Sequence, residues 1–402
     1  MKKRTTAGVI LLIITLILTL LLTACGSTGS TTTPPDGLNA GNGNTETQQS
    51  KGTPETQETP ETQKMHETQE KSESPETIET LKVGLSAGLM KPVGIIAADK
   101  LGYFAQEGVN VILEKVSSQP DATTAVSTGS MDIFPFGVVA PATYVSQGAD
   151  MVIFGGTVAE GSEILAAESF TGTIETAEDF RGRVVSVSRA ETGQMVLKDY
   201  LSQQGLDLEA DVTFIYVDDQ TVGMQGVKNG EFDFYICNNA MGYIGNRSGM
   251  KVVGTVRQFV PDYPCCRQFC SRNAYDNKFD ALVKFEIAQL RGFEYYLTEK
   301  DLTIEMLAEY SGQDSDYVEA SMYGLDNYEN VMDITLDPNK NAVIPFYETL
   351  KFLGEIDADT PHRIEDYIET DVYETALLEL LQREPASELW TRLLAEFHEN
   401  NN

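Results

Sequence analysis

The sequence predicts an α/β protein that folds as two lobes after residue 80, and three observations support this prediction. From Leu81 onward, segments of strand length alternate with segments of helical pattern, which is typical of βαβ units and of sheets covered by helices. The alternation stops after Val158 and begins again at Arg183. The roughly 320 residues that follow residue 80 are also more than one hydrophobic core usually holds, so two lobes are expected.

The individual elements form two series and a helical tail. In the first series we predict strands at 81–86, 109–116, 131–137 and 151–158, with helices at 95–106, 121–128 and 140–147. In the second series we predict strands at 183–188, 212–217 and 232–237, with helices at 194–203 and 223–229. Helical patterns then dominate, at 279–297, 303–310, 316–323, 343–353 and 372–381. This order predicts two sheets, each covered by helices.

The first 25 residues have the pattern of an export signal. Three basic residues follow Met1, and an uncharged run covers residues 7–24; by its length this run could also be an uncleaved transmembrane anchor. The run ends in Leu22-Thr23-Ala24-Cys25, which resembles the bacterial lipobox, whose cysteine is lipidated after cleavage. We therefore predict a lipoprotein signal peptide at 1–24 and a lipid on Cys25 that holds the chain at the extracytoplasmic face of the cell membrane.

Residues 25–80 have the composition of a disordered linker. The segment is made of Thr, Gln, Glu, Pro, Gly and Ser with very few large apolar side chains, and Pro-Glu-Thr recurs at 54–56, 60–62 and 75–77. Such a segment buries too little apolar surface to offset the entropy lost on ordering. We predict a tether between the lipid and a folded domain at 81–402.

The overall charge excludes one large class of function. The chain has 61 acidic and 29 basic residues, for a net charge of −32, so it lacks the basic surface that nucleic-acid binding requires. The same charge is unfavourable close to anionic lipid, which suits a domain held away from the membrane on a tether.

The cysteine count is low for a disulfide-rich protein. With Cys25 lipidated, four of the five cysteines would remain as thiols, too few for a disulfide scaffold in a chain of this length.

Six short segments follow one another along the chain, at 83–85, 92–98, 101–109, 128–133, 180–185 and 229–233. Their order resembles the pattern of one superfamily of binding proteins, those for sulfonates, nitrate, taurine and thiamine-pyrimidine precursors. The family pattern is a strand, a pocket loop, a helix, Gly-Tyr-Phe and Glu-Gly, then a Gly-x-x-Asp motif, a Leu-Lys-Gly-Lys motif and a second Gly-x-x-Asp. The resemblance covers roughly residues 81–385.

The resemblance implies a type II periplasmic-binding-protein-like fold, in which two α/β lobes are joined by two crossovers. The crossovers would lie near 159–165 and 256–264. Lobe one would then comprise about 81–160 plus 265–402, and lobe two about 165–258. In this family the ligand lies in the cleft between the lobes, at the carboxyl ends of strands and at helix N-termini. Hinge bending closes the cleft around the ligand.

Fifteen residues are candidates for contact with the ligand in that cleft. Loops after the predicted strands of lobe one supply Ser86, Gly88, Leu89, Met90, Phe136, Gly137 and Val138; lobe two supplies Ser188, Glu191, Thr192, Gly193 and Asn238; the returning chain supplies Cys265, Cys266 and Arg267. Exposed amides at the start of the 194–203 helix could hold a ligand oxygen. Thr192 could instead only cap that helix, and the asparagines at 238 and 239 could only form a turn.

The segment Tyr263–Ser271 resembles the cysteine-rich stretch of the fungal thiamine-pyrimidine synthases, His-Cys-Cys-Cys-Phe-Cys. Those enzymes share the fold, consume their own histidine together with bound pyridoxal phosphate, and require iron. Aligned on the Phe-Cys pair, only Cys266 and Cys270 coincide with family cysteines. The donor histidine is also missing, because the three histidines lie at 66, 362 and 398, far from the first-lobe strands where the resemblance requires one.

Three roles remain open for these cysteines. On a regular strand, Cys266 and Cys270 would share a face and Cys265 would point to the other. They could be small buried side chains beside the hinge, they could contact the ligand with Arg267, or they could bind a metal if Cys237 or another residue supplied a third ligand. We favour Arg267 for ligand contact, because a guanidinium can bind a carboxylate, sulfonate or phosphate through two hydrogen bonds.

The sequence therefore predicts the extracytoplasmic substrate-binding component of an ABC importer. It would capture a small anionic or heterocyclic solute, act as a monomer with a permease and an ATPase, and need no catalytic residue, metal or cofactor. One alternative is a protein like the thiamine-pyrimidine synthases. Another is a ligand-sensing module that reports to a membrane sensor.

Overall fold

The computed structural model describes residues 78–189 and 191–402. The predicted signal peptide at 1–24, the lipidation site Cys25 and nearly all of the predicted linker at 25–80 lie outside the described residues. Among the described helices, none combines the length and the apolar character that crossing a membrane requires.

A six-stranded sheet contains strands from both ends of the described chain. Its strands are β1 (Thr80–Ser86), β2 (Asn110–Val116), β3 (Ile133–Phe134), β4 (Met151–Ala159), β10 (Pro264–Ser271) and β11 (Asp333–Ile334). They lie in the order β11-β4-β10-β3-β1-β2. β1 is parallel to β2 and β3, whereas β10 is antiparallel to both β3 and β4. All nine residues of β4 are buried, as expected for a strand covered on both faces.

A five-stranded sheet is formed by the middle of the chain. Its strands are β5 (Ser162–Ala167), β6 (Val184–Val187), β7 (Thr213–Tyr216), β8 (Phe234–Asn238) and β9 (Met250–Thr255). They lie in the order β7-β6-β8-β5-β9. β6 is parallel to β7 and β8, and β5 is antiparallel to β8 and β9. Each sheet thus has a parallel part built from βα units and antiparallel strands where the chain enters or leaves.

The chain passes between the two sheets twice. The first passage is the pair Glu160-Gly161 between β4 and β5, and the second is residues 256–263 between β9 and β10. Glu160 Oε1 accepts a hydrogen bond from the backbone N–H of Asp262 at 2.6 Å, and Arg257 Nε lies 3.1 Å from Glu160 Oε2. The two passages are therefore tied to each other by a carboxylate and an arginine.

Fourteen α-helices cover the sheets within the described ranges. They are α1 (Val93–Lys100), α2 (Tyr103–Gln106), α3 (Gln119–Ser127), α4 (Val139–Ser146), α5 (Thr192–Gln203), α6 (Gln220–Asn229), α7 (Met241–Asn246), α8 (Arg272–Asn277), α9 (Phe279–Thr298), α10 (Lys300–Ser311), α11 (Ser315–Met322), α12 (Lys340–Phe352), α13 (Asp371–Arg383) and α14 (Glu388–Asn400). The long helix α9 packs against α1 at Gly94 and Gly292, where a β-carbon on either glycine would collide with the other helix. These glycines let the two backbones approach closely.

The structure confirms most predicted elements and corrects several. The predicted helix at 95–106 is two helices, because Gly102 adopts a left-handed backbone with φ of 71° between α1 and α2. The predicted strand at 131–137 keeps only two strand residues, since the rest forms a loop. The antiparallel strands β5 and β9 were not predicted. Neither has the alternation of buried and exposed residues that identifies a half-exposed strand.

Candidate functional site

A cavity of about 430 Å³ lies where strands of both sheets end. The segments after β1 and β3 line it from the first sheet, and those after β6, β7 and β8 line it from the second. The start of β10 forms part of the wall, with side chains from the region of α11. Eleven of the fifteen candidate residues line this cavity: Gly88, Leu89, Met90, Phe136, Gly137, Ser188, Glu191, Thr192, Asn238, Cys265 and Cys266.

A larger cavity, of about 540 Å³, lies elsewhere in the molecule. It is formed by α5, the passage residues 259–264 and α12, and no strand of the second sheet ends in it. Ligands of α/β proteins bind at the carboxyl ends of strands, where loops and helix N-termini present their polar groups. The cavity at the strand ends is therefore the candidate site, although it is smaller.

Of the described candidates, Ser86, Val138, Gly193 and Arg267 do not line the cavity. Ser86 ends β1, and its carbonyl accepts a hydrogen bond from Leu89 N–H at 3.3 Å. Val138 is fully buried, and its N–H donates to the carbonyl of Cys265 at 3.1 Å. These two residues shape the wall through their backbones, while their side chains do not reach the cavity.

The N-terminus of α5 is occupied by a carboxylate of the chain itself. Glu191 precedes the helix, and its side chain accepts hydrogen bonds from the N–H groups of Gly193 at 3.0 Å and Gln194 at 2.7 Å. The hydroxyl of Ser162 donates to the same carboxylate. The amides expected to hold a ligand oxygen are thus engaged, and Glu191, not Thr192, is the helix cap. Burial raises the pKa of Glu191, against the lowering effect of these hydrogen bonds.

Gly193 has a packing role next to this carboxylate. A β-carbon at Gly193 would collide with the side chain of Ser162, so only glycine allows the Ser162 hydroxyl to approach Glu191. Gly137 has a comparable role in the wall, because a β-carbon there would lie 3.0 Å from Gln119 Oε1. The missing side chain at Gly137 therefore makes room for Gln119, which itself lines the cavity.

Strand β10 is irregular where it meets the cavity. Its register against β4 shifts between Pro264 and Cys266 and again between Cys266 and Arg267, and a third shift between Gln268 and Phe269 precedes the regularly paired end. The two adjacent cysteines consequently both line the cavity, with their sulfurs 3.5 Å apart. The expectation that Cys265 and Cys266 would point to opposite faces is wrong, because it assumed a regular strand.

Lys91 completes this group from the loop after β1. Its Nζ lies 3.7 Å from Cys265 Sγ and 3.9 Å from Cys266 Sγ. Burial alone would lower the pKa of the Lys91 ammonium, but the two sulfurs and the Glu191 carboxylate outweigh burial and raise that pKa. The ammonium is therefore charged and faces the two thiols.

The two cysteines of the pair differ in acidity. The hydrogen bond from Cys266 lowers the pKa of Cys265; burial opposes this effect, and the charge of Lys91 adds to it. The same hydrogen bond and burial raise the pKa of Cys266 well above its usual value. The charge of Lys91 and the contact between the two sulfurs thus favour a thiolate in this pair, and the lowered pKa points to Cys265.

Arg267 is fully buried next to the pair but is directed elsewhere. Its Nη1 donates to the carbonyls of Cys266 at 2.9 Å and Val158 at 3.3 Å, while Nε and Nη2 have no hydrogen-bond partner. Burial lowers its pKa, an effect opposed by the nearby carboxylate of Asp337. Ligand contact by Arg267 stays a prediction, and the cation that lines the cavity is Lys91.

Several lining residues were missed by the sequence analysis. They are Lys91, Gln119, Asp218, Gln220, Met241, Gln313, Tyr317 and Met332; Asn239, considered above beside Asn238, also lines the cavity. Lys91 directly follows the predicted loop, and Asp218 with Gln220 follows β7, so the rule that strand ends build the site would have found these three. Gln313, Tyr317 and Met332 come from the helical tail, where no sequence signal points to the cavity.

Residues 325–332, which we call the bridging segment, connect the first sheet to the second beside the cavity. The segment precedes β11, and its Tyr328 hydroxyl donates to Glu163 Oε1 of β5 at 2.6 Å. The same hydroxyl accepts a hydrogen bond from Ala240 N–H at 3.1 Å. Asn239, which lines the cavity, donates from Nδ2 to the carbonyl of Asn330 at 2.8 Å.

The described residues do not form a recognisable metal-binding site. No group of three or more His, Cys, Asp or Glu side chains in the ranges 78–189 and 191–402 has an arrangement that could hold a metal ion. Cys237, considered above as a third ligand, instead has its thiol 3.7 Å from the carbonyl of Glu163.

Comparisons with known proteins agree with this architecture. The model of a family described as NMT1/THI5 like matches residues 91–301. The periplasmic aliphatic sulphonate binding protein SsuA of Escherichia coli is 18% identical, with a TM-score of 0.59 over 72% of this chain and 92% of its own. The periplasmic nitrate-binding protein NrtA of Synechocystis PCC 6803 is 16% identical, with a TM-score of 0.61 over 76% of this chain and 89% of its own.

The fold also occurs in an enzyme. The desulfurization enzyme DszB is 14% identical, with a TM-score of 0.53 over 75% of this chain and 99% of its own. No curated protein sequence matches this chain. At these identities the structural likenesses show the fold alone, and they confirm the predicted two-lobed periplasmic-binding-protein-like α/β fold.

Proposed function

Because the chain belongs to the NMT1/THI5-like family, we propose that it is the extracytoplasmic solute-binding component of an ABC importer. Its ligand is a small anionic or heterocyclic solute that occupies the cavity at the strand ends. Two of the similar structures are periplasmic proteins that bind an aliphatic sulphonate and nitrate, which supports a binding role for this fold.

One observation carries the proposal: the cavity is built from strand ends of two sheets, and the described chain passes between these sheets twice, through short segments. A site shared by two bodies can open and close by bending at the passages. We place lobe one at about 81–160 plus 265–402 and lobe two at about 165–258, with the hinge at Glu160-Gly161 and residues 256–263. Closure around a solute is the signal that a permease would detect.

The membrane attachment and partners follow from the same proposal. The protein is a monomer held by lipid on Cys25, and it delivers its solute to a permease coupled to an ATPase. Cys25→Ser would leave the chain unlipidated, which metabolic labelling with an acyl precursor measures directly. Unaltered protein that incorporates no acyl label would contradict the anchor and leave the binding proposal standing.

We propose binding without turnover, although DszB shows that this fold also serves an enzyme. The synthase alternative requires a histidine near the first-sheet strands. His362 packs beside Gly148, just before β4, and its Nδ1 is 2.9 Å from the Tyr367 hydroxyl; His398 lies in α14. Neither lines the cavity, which supports the binding role over the synthase.

Identification of the solute tests the proposal. Protein purified without denaturation is analysed by mass spectrometry for released small molecules, and the identified solute is titrated by calorimetry. Asn238→Ala removes an amide from the cavity wall and is expected to weaken binding roughly tenfold, as for the loss of one hydrogen bond. Asn277→Ala, an exposed asparagine of α8, is the matched control. Native protein that carries no solute and takes none from a cell extract contradicts the function.

A further inference from the structure

We propose that Lys91, Cys265 and Cys266 form a thiol–disulfide exchange site inside the cavity, which reacts with a small organic disulfide. This inference names a ligand class for the proposed binding cavity, and it rests on the proposed function only in that solutes enter there. The reaction is stoichiometric and leaves the ligand covalently held or reduced.

The first support is the arrangement of the three side chains. The ammonium of Lys91 lies 3.7 Å from Cys265 Sγ and 3.9 Å from Cys266 Sγ, and the two sulfurs lie 3.5 Å apart, so the three groups form a triangle. Within the described residues, the hydrogen bonds of Lys91 Nζ go to these two sulfurs and to no carboxylate. A cation and a thiol donor that both face one sulfur stabilise its thiolate, which is the nucleophile in thiol chemistry.

The second support is the contrast with the other described cysteines. Cys237 and Cys270 are buried at 1% and 0% exposure, do not line the cavity and have no hydrogen bond from a lysine or arginine in the described chain. Burial raises the pKa of both thiols. They fit the role of small apolar side chains; Cys265 and Cys266 are buried too, at 8% and 2% exposure, but they line the cavity and contact Lys91.

The chemistry balances with the disulfide as the oxidant. The Cys265 thiolate attacks one sulfur of R–S–S–R, forms Cys265–S–S–R and releases R–S⁻, which takes a proton from solvent. The Cys266 sulfur then attacks Cys265 Sγ, the bond between Cys265 Sγ and the ligand sulfur breaks, and the proton of Cys266 passes to the departing second R–S⁻. The protein gains an internal disulfide, the ligand becomes two thiols, and two electrons pass from the cysteine pair to the ligand.

The second step ends in a strained product. Adjacent cysteines have Cα atoms about 3.8 Å apart, below the roughly 4.4–6.8 Å that disulfides usually span. A strained disulfide is easily reduced, so a thiol can return the pair to its starting state. The register shift at this end of β10 brings the two sulfurs together, which a regular strand would not do.

The test uses the full chain and 2-hydroxyethyl disulfide, followed by intact-mass and peptide mass spectrometry. Cys266→Ser removes the second step, so one hydroxyethylthio group is expected to accumulate on Cys265. In the unaltered protein the Cys265–Cys266 peptide is expected to lose two hydrogens instead. Cys265→Ser should abolish both products, while Cys270→Ser, the control, should change neither.

The role of Lys91 is tested by the pH dependence of the rate. Lys91→Met is expected to slow adduct formation in the Cys266→Ser background on the order of tenfold near pH 6.5. The two rates should converge near pH 10, where an ordinary thiol is ionised without help. A lysine that only supported the fold would change the rate equally at every pH. Thermal melting of each variant confirms that it is folded.

The outcomes separate this inference from the proposed function. If Cys265 reacts no faster than Cys270 in the folded protein, the exchange site is contradicted, whatever solute the cavity binds. An adduct on Cys265 in a protein that takes no solute from an extract supports the exchange site while the importer function fails. Reaction that survives Cys265→Ser also overturns the proposal.

Discussion

The two ends of strand β10 carry the same type of residue in opposite surroundings. At the cavity end, Cys265 and Cys266 face a lysine across an irregular register. At the other end, Cys270 is fully buried and pairs with Ile133 of β3 and Val152 of β4. The neighbouring Phe269 has its ring 5.7 Å from that of Phe134 in an edge-on contact.

The difference shows that the register of a strand can decide the chemistry of its side chains. Regular pairing places each second side chain on the core face, which is where Cys270 becomes a small apolar group. The shifts at Cys266 break this alternation and turn two neighbouring thiols toward one cation. The cavity end therefore contributes reactivity, and the core end contributes stability.

The largest expected effect is at the core end. Phe269→Ala removes a fully buried ring between two strands and is expected to lower the free energy of unfolding by about 3–5 kcal/mol. Urea unfolding measures this loss, and Cys265→Ala is the comparison at the cavity end. Equal losses for the two variants would show that the ends do not differ in their contribution to the core.

A pH-dependent effect is expected from the middle of the strand. Gln268 Nε2 donates to Glu286 Oε2 of α9 at 3.1 Å, and burial raises the pKa of Glu286 to about 8, against the effect of that hydrogen bond. The folded protein thus favours the neutral acid. The neutral acid stabilises the fold fully below pH 4.5, the pKa of this carboxyl in the unfolded chain. This stabilisation is lost as the pH rises from there through the pKa of about 8 in the folded protein.

Glu286→Gln removes this titration while it keeps the shape of the side chain. The variant is expected to match the unaltered protein near pH 4.5 and to exceed its free energy of unfolding by on the order of 3 kcal/mol near pH 7. Urea unfolding at both pH values measures the difference, with the exposed Glu305→Gln on α10 as control. A difference that is the same at both pH values would contradict the assignment.

The smallest expected effect compares the two cysteine environments directly. Cys270→Ser places a hydroxyl in an apolar core and is expected to cost about 1–3 kcal/mol of stability. Cys265→Ser places the same hydroxyl in a polar cavity wall and is expected to cost less than about 1 kcal/mol. Thermal and urea unfolding of the two variants under identical conditions give both values; a reversed order would contradict the comparison.

The sequence predicted the parts of this molecule that depend on local pattern. Alternating strands and helices, the loops that follow β1, β3 and β8, and the cysteine-bearing stretch were all identified from short segments. Eleven of the fifteen candidate residues line the cavity, because the carboxyl ends of parallel strands meet at one edge of a sheet. The restart of the pattern at Arg183 also corresponds to the second sheet.

What the sequence did not predict depends on partners that are distant along the chain. The direction in which the Cys265 side chain points depends on how β10 pairs with β4, which lies more than 100 residues earlier in the chain. The capping of α5 by Glu191 involves Ser162 on another strand. Tyr317 and Met332 reach the cavity from the helical tail, and no periodicity relates them to the strands. Arg267 was preferred for its chemistry and for its place just after the second crossover, without knowledge of which face of β10 it occupies.

The bridging segment has a consequence for the rate at which a solute can enter. If the lobes separate beside the cavity, Tyr328 leaves both Glu163 and Ala240. At about 0.5–1.5 kcal/mol for each of these two hydrogen bonds, the separated form would be on the order of one to ten per cent of the population without ligand. The observed association rate would equal the intrinsic rate multiplied by that fraction, and the apparent affinity for the solute would be reduced by the same factor. The Tyr328 hydroxyl, together with the Asn239–Asn330 hydrogen bond of the same segment, would thus set how often the cavity is accessible.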